Sequence, residues 1–236
     1  MKLKKITDFL EEIVPISLQE DYDNCGLILG DKSLFINAAL ITIDCTESVI
    51  DEAIKTGCNL IIAHHPIVFN SIKKLNGNNY IERTIIKAIK NNIAIYAMHT
   101  NLDSVANGVS FKISERLGLI NTKILSPKYK VNQMDVGYGI IGDLISPVES
   151  MEFLLSLKSV MKTNCIRHTA LVKSEINKVA VCGGSGSGFL INAKELNADI
   201  YITADFKYHE FFDAENDIII ADIGHVESEQ FTKDLI

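Results

Sequence analysis

The chain has 236 residues, 47% of them hydrophobic, and a formal charge of −7. That length supports one large or two small cores, and the acidic balance without a lysine/arginine run speaks against nucleic acid as the main partner. No apolar run approaches the roughly 18 residues that a membrane span needs.

Five cysteines with no Cys-x-x-Cys spacing predict reduced thiols, not a disulfide frame or a zinc knuckle. The basic start, Met1-Lys2-Leu3-Lys4-Lys5, meets Asp8, Glu11 and Glu12 at once, so no signal-peptide core is expected. A cytoplasmic globular protein follows.

Ile6, Phe9, Leu10 and Ile13 recur at helical spacing until Pro15 ends the run. Asp21–Asp31 invites a calcium-loop reading, which fails. Its fifth position is Cys25 and its twelfth is Lys32, where an oxygen ligand and a glutamate belong. Asp23 and Asn24 therefore read as turn formers ahead of a short Leu27-Ile28-Leu29 strand. Residues 39–43 predict a buried strand, and Thr46 caps a helix that Gly57 closes.

Leu60–Ala63 is the next buried strand, and it empties into His64-His65-Pro66, where the proline ends the ladder. In an open α/β sheet ligands sit at the carboxyl ends of strands. Adjacent side chains on an extended backbone point to opposite sides, so two neighbouring imidazoles suit a pair of metal ions better than one. The plainer alternative is two histidines that merely end a strand. A helix over 80–90 and a strand over 93–98 follow, ending at His99-Thr100-Asn101-Leu102-Asp103. A helix over 105–117 stops at Gly118.

Residues 121–135 are polar, aperiodic and contain Pro127, and read as a linker. Beyond them come a strand over 137–144, a helix over 147–161, and a strand over 165–173 with His168 in a surface or core-capping role. The last third then copies the first. Residues 178–182 form a strand, Cys182–Gly188 a Gly-rich turn, and Asn197–Asp205 mirrors Gly57–His65. Residues 217–223 end at His225, as the earlier strand ends at His99. Each of these histidines has a carboxylate four residues later, Asp103 and Glu229 respectively.

The predicted architecture is α/β, with two related lobes facing each other across a di-metal cleft. The lobes cover residues 1–120 and 136–236, with 121–135 as the linker. His64, His65, His99, Asp103, His225 and Glu229 would converge there, a donor set suited to zinc, iron or manganese. The Gly-rich turn fits either an anion contact at a helix start or a tight strand-to-helix turn.

The chain resembles the NIF3-like family, also called GTP cyclohydrolase type 2 homologues (domain of unknown function 34). The matching stretches are Asp21–Asp31, Ala63–Pro66, His99–Asp103, Cys182–Gly186, Thr203–Glu210 and Gly224–Gln230. The resemblance implies two divalent metal ions, one held by His64 and Asp103 and the other by His65 and His225, with Glu229 bridging them. It places His99 near the metals or facing substrate, and it implies a homohexameric ring. Longer relatives carry an inserted domain where this chain has only the linker, and relatives continue beyond Ile236.

Two ions about 3.5–4 Å apart make water nucleophilic near neutral pH. The expected function is therefore dinuclear metal-dependent hydrolysis of a small, nucleotide-like substrate. Glu229 would hold the ions at their spacing, and His99 or His209 would move protons. A non-catalytic metal-binding regulatory or scaffold protein and a di-metal phosphoesterase are the rival readings.

Overall fold

Runs of consecutive apolar residues become strands covered on both faces, and they set the plan of the molecule. The structure, a computed structural model, describes residues 1–131 and 134–236. It divides into two compact units, Met1–Leu102 together with Ile236, and Asp103–Leu235.

The first unit opens with α1 (Leu3–Ile13), which buries Leu3, Thr7 and Leu10 at helical spacing. There follow β1 (Gly26–Leu29), β2 (Ala39–Thr42), α2 (Glu47–Thr56), β3 (Leu60–Ala63), α3 (Tyr80–Lys90) and β4 (Ala94–Ala97). The short α4 (Thr100–Ser104) carries the chain into the second unit. The sheet order is β1-β4-β3-β2, with β2, β3 and β4 parallel and β1 antiparallel to β4. Every residue of β3 and β4 is buried. Thr46 caps α2 as its sequence predicts, and Gly57 ends that helix at φ 74°, a left-handed conformation that favours glycine. Ile50 and Ala53 of α2 and Ala88 of α3 close over Ile61 and Ile95 of the sheet.

The second unit contains α5 (Val109–Arg116), β5 (Ile120–Val131), β6 (Met134–Glu149), α6 (Ser150–Val160) and β7 (Arg167–His168). It continues with β8 (Glu175–Ser185), α7 (Leu190–Glu195), β9 (Ile200–Ala204), β10 (Ile219–Asp222) and α8 (His225–Glu229). The sheet order is β5-β6-β8-β9-β10-β7, with β8, β9 and β10 parallel. Alternate residues feed two cores, one on each face. Val179, Val181, Ile200, Ile202, Ile219 and Ala221 join α6 through Phe153, Leu154 and Leu157. Ala180, Cys182, Tyr201 and Ile220 pack with Leu190 and Ala193 of α7. In both sheets three parallel strands run in chain order, and the strand preceding them in sequence pairs antiparallel with the third.

Several expectations change. The segment read as a linker is mostly strand, because β5 pairs with β6 from Ile120↔Asp143 to Val131↔Met134. Its outer part, from Pro127 to Lys130, is exposed, so no buried face imposes an apolar period there. Asn132 and Gln133, within the expected linker, lie outside the described residues. The strand expected over 165–173 shrinks to Arg167–His168, where the chain pairs briefly with β10. Among the described residues, no helix is long and apolar enough to cross a membrane.

Ile61 is fully buried at the centre of the first core. Ile61→Ala is expected to destabilise the protein by about 2–5 kcal/mol, read as a lowered urea midpoint.

Candidate metal centre

In the first unit, β3 delivers two histidines at its end. His64 N–H donates to Thr42 O at 3.0 Å and His65 N–H to Ile43 O at 2.9 Å, so the backbone ladder continues past β3 and fixes where both imidazoles start. His64 is fully buried, and its Nδ1 lies 2.7 Å from Met98 O, next to β4. A carbonyl can only accept, so the proton is on Nδ1 and the ligating lone pair on Nε2. His65 Nδ1 lies 2.8 Å from Asp44 Oδ1, at the end of the neighbouring parallel strand β2. His99, just past β4, has Nδ1 2.9 Å from Asp23 Oδ1. The ring centroids of the three histidines lie 4.9 to 5.4 Å apart, and each offers a ligand nitrogen within 4.8 Å of the others.

Asp23 does more than make a turn. Burial pushes its carboxyl up. Hydrogen bonds from His99, the Thr100 side chain and the Asn24 N–H outweigh that and hold it well below the usual carboxylate range. It therefore stays an anion that orients His99.

In the second unit, β10 ends at buried Asp222, which pairs with Arg167 and accepts the N–H of Phe206 at 3.0 Å and of Gly224 at 3.1 Å. Gly224, at φ 93°, turns the chain into α8, whose first and last residues are His225 and Glu229. His225 Nδ1 lies 2.6 Å from Asp205 Oδ2 and its Nε2 3.2 Å from Glu229 Oε2. The hydrogen bond to Glu229 is the main reason His225 is lifted to about 9. A cation at Nε2 would take the place of that proton. Asp205 adopts φ 59°, an uncommon left-handed conformation for a non-glycine, just after β9.

The Gly-rich turn is a packing device. Gly183 N–H donates to Ser110 Oγ at 3.2 Å, Gly184 N–H to Ser228 Oγ at 2.9 Å, and Gly186 N–H to Thr203 Oγ1 at 3.0 Å. These donors face hydroxyls of the protein instead of an anion. A Cβ at Gly184 would stand 2.3 Å from Glu229 Oε1, and the residue lies at φ 64°. Glycine there is what lets buried Glu229 occupy its position.

Asp103 sits in α4, four residues past His99, as the first residue of the second unit. Burial pushes the Cys182 thiol up to about 12, with the charges of Asp103 and Glu229 adding to the shift. Both acids thus act on one buried sulfur. His168 is exposed on β7, and His209 packs between Tyr208 and Phe212, 5.0 and 6.0 Å away. Asp44 escaped notice in the sequence, and Asp205 entered only as the counterpart of His65 and within Thr203–Glu210, without a role. Each is the carboxylate that follows a parallel strand, a signal present in the chain but as common as any turn aspartate.

His64, His65, His99 and His225 share one arrangement: Nδ1 lies 2.6 to 2.9 Å from an oxygen acceptor, so Nε2 is the ring nitrogen that could face an ion. Metal-binding histidines are oriented in just this way, and the donors present fit a divalent ion such as zinc, iron or manganese.

These features define a two-sheet α/β protein whose strand ends carry histidine and carboxylate groups able to hold metal. The family model Duf34/NIF3 (NGG1p interacting factor 3) matches residues 1–236, and the chain belongs to that family. It is 38% identical over 230 residues to a protein of Clostridium perfringens, spanning 97% of this chain and 87% of that one. It is 36% identical over 230 residues to a protein of Clostridium acetobutylicum, spanning 97% and 85%. Both relatives are named GTP cyclohydrolase 1 type 2 homolog. A solved Bacillus cereus protein related to NIF3 matches with a TM-score of 0.90 at 26% identity, covering 97% of this chain and 89% of that one. Reduced HcgD from Methanocaldococcus jannaschii matches with a TM-score of 0.81 at 28% identity, covering 100% and 91%.

Two variants test the assembly of these groups. Gly184→Ala is expected to push Glu229 aside, weakening zinc binding at least about tenfold by isothermal titration, and to destabilise the fold by about 1–2 kcal/mol. Asp205→Asn, which keeps the shape but removes the charge behind His225, is expected to weaken zinc binding by about 10–100-fold with an unchanged circular dichroism spectrum.

Proposed function

We propose that the chain is a dinuclear metal-dependent hydrolase acting on a nucleotide-like substrate. His64, His65, Asp103, His225 and Glu229 are the residues that would hold the ions. The observation that carries this reading is the shared orientation of the four histidines, each with Nδ1 fixed by an oxygen acceptor. The names of the Clostridium relatives support the substrate class.

A bound pair of divalent ions supplies Lewis acidity and makes water nucleophilic near neutral pH. The chain's own residues do the rest. Asp44 and Asp205 orient His65 and His225 and raise their basicity as ligands. Glu229, nearly fully buried, brings a negative charge that offsets the positive charge of the ions. His99, held by anionic Asp23, is the group placed to take up and return a proton at Nε2.

The same reading makes the protein a homo-oligomer, a hexameric ring, with exposed Ile145, Met151 and Leu155 as apolar surface for such contacts. Five free cysteines agree with a reducing, cytoplasmic setting.

Glu229→Gln is expected to leave the fold intact and to lower the bound metal from two ions per chain to one or none by elemental analysis. Wild-type protein loaded with metal is expected to release formate from GTP. Release of phosphate or of an alcohol from a generic phosphodiester would instead identify a phosphoesterase. Silence with both compounds, or unchanged metal content in Glu229→Gln, would overturn the proposal.

A further inference from the structure

The Asp23-Asn24 dipeptide holds two things at once. Asp23 carries His99 on one carboxylate oxygen, and that same oxygen takes the Asn24 N–H at 2.7 Å. Asn24 Nδ2 then donates to Val68 O at 2.7 Å, pinning the loop that follows His65 and Pro66 one residue before Phe69. Phe69 is therefore an exposed aromatic side chain on an anchored backbone, not one carried at the end of a loose loop.

Its ring stands edge-to-face with His99, centroids 6.3 Å apart at 73°. On another side Tyr22 lies 6.2 Å away at 46°. Phe69 is 44% and Tyr22 66% exposed, so two adjoining aromatic rings offer apolar surface next to the histidine set of the first unit. Aromatic surface fixed beside polar, ionisable groups recognises a flat ring with polar edges. The rings take its face by stacking, and the polar groups meet its rim.

We propose that Tyr22 and Phe69 form a stacking platform for a planar heteroaromatic ring of the substrate, seated beside His99. This deepens the hydrolase reading and rests on it for the word substrate. The platform itself is a binding site that stands or falls separately. It assigns the specificity to the ring, so a sugar phosphate without a base gains nothing from these two residues. Asn24 is the positioning residue that keeps Phe69 in register with His99.

Guanosine and ribose 5-phosphate are the probes. The chain has no tryptophan, so the Phe69→Trp variant carries a single indole, excited selectively at wavelengths beyond the tyrosine absorption. Guanosine is expected to quench its emission saturably, and ribose 5-phosphate to leave it unchanged. By equilibrium dialysis of guanosine against metal-loaded full-length protein, Phe69→Ala and Tyr22→Ala are each expected to bind roughly 5- to 100-fold more weakly than wild type, whereas Phe69→Tyr retains binding. Both positions are exposed, so circular dichroism and metal content should match wild type and exclude misfolding. Equal guanosine binding by wild type and Phe69→Ala, or no guanosine binding by wild type, would overturn the platform while leaving two bound ions as support for the metal reading. Guanosine binding in Glu229→Gln that still depends on Phe69 would uphold the platform even if the metal reading failed.

Discussion

An imidazole has two ring nitrogens, and committing one of them decides what the other can do. Here the commitment is made four times with the same polarity, always Nδ1 and always to an oxygen. The acceptors differ in kind. His64 uses a main-chain carbonyl, which places a proton on Nδ1, whereas His65, His99 and His225 lean on aspartates. The backbone must deliver all these partners together, and parallel strands do so. Neighbouring strands end side by side, so an acid after β2 meets a histidine after β3, and an acid after β9 meets a histidine after β10. The chemistry at the strand ends is thus a consequence of register.

Buried β-structure supports this arrangement from below. The central strands of each sheet are covered on both faces, which fixes their register against slippage, because a slip of one residue would exchange the two cores of the second unit. The glycines of the turn after β8 serve the same purpose. Their N–H groups are satisfied by Ser110, Ser228 and Thr203, so the turn packs close to α8 and leaves no room for a side chain at Gly184. A motif that looks like an anion cradle in sequence acts as a spacer that sets the depth of a carboxylate.

Most of the parallel strands could be read from the chain, since continuous apolar runs such as Leu60–Ala63 and Ile219–Ala221 have few other uses. The histidines at their ends were visible for the same reason, as was the four-residue step from His225 to Glu229, one turn of α8. The acids behind the histidines were hidden. Asp44 precedes its partner His65 by 21 residues, and Asp23 precedes His99 by 76, so only the pairing of strands and the folding of a turn reveal them. The outer part of the ribbon, most of β5 with the start of β6, was hidden for another reason: from Pro127 to Lys130 it has no buried side and therefore no apolar rhythm. The brief β7 shows the reverse error, where residues with strand character find only two rungs to join.

That ribbon carries a consequence for the architecture of longer chains. The backbone leaves β5 at Val131 and re-enters β6 at Met134, and these two residues are cross-strand partners. The gap between exit and return is thus only the width of one ladder step, about 5 Å. A guest module whose own two ends emerge next to each other could be spliced in at this point without breaking a rung elsewhere, and the host sheet would sense only the added weight.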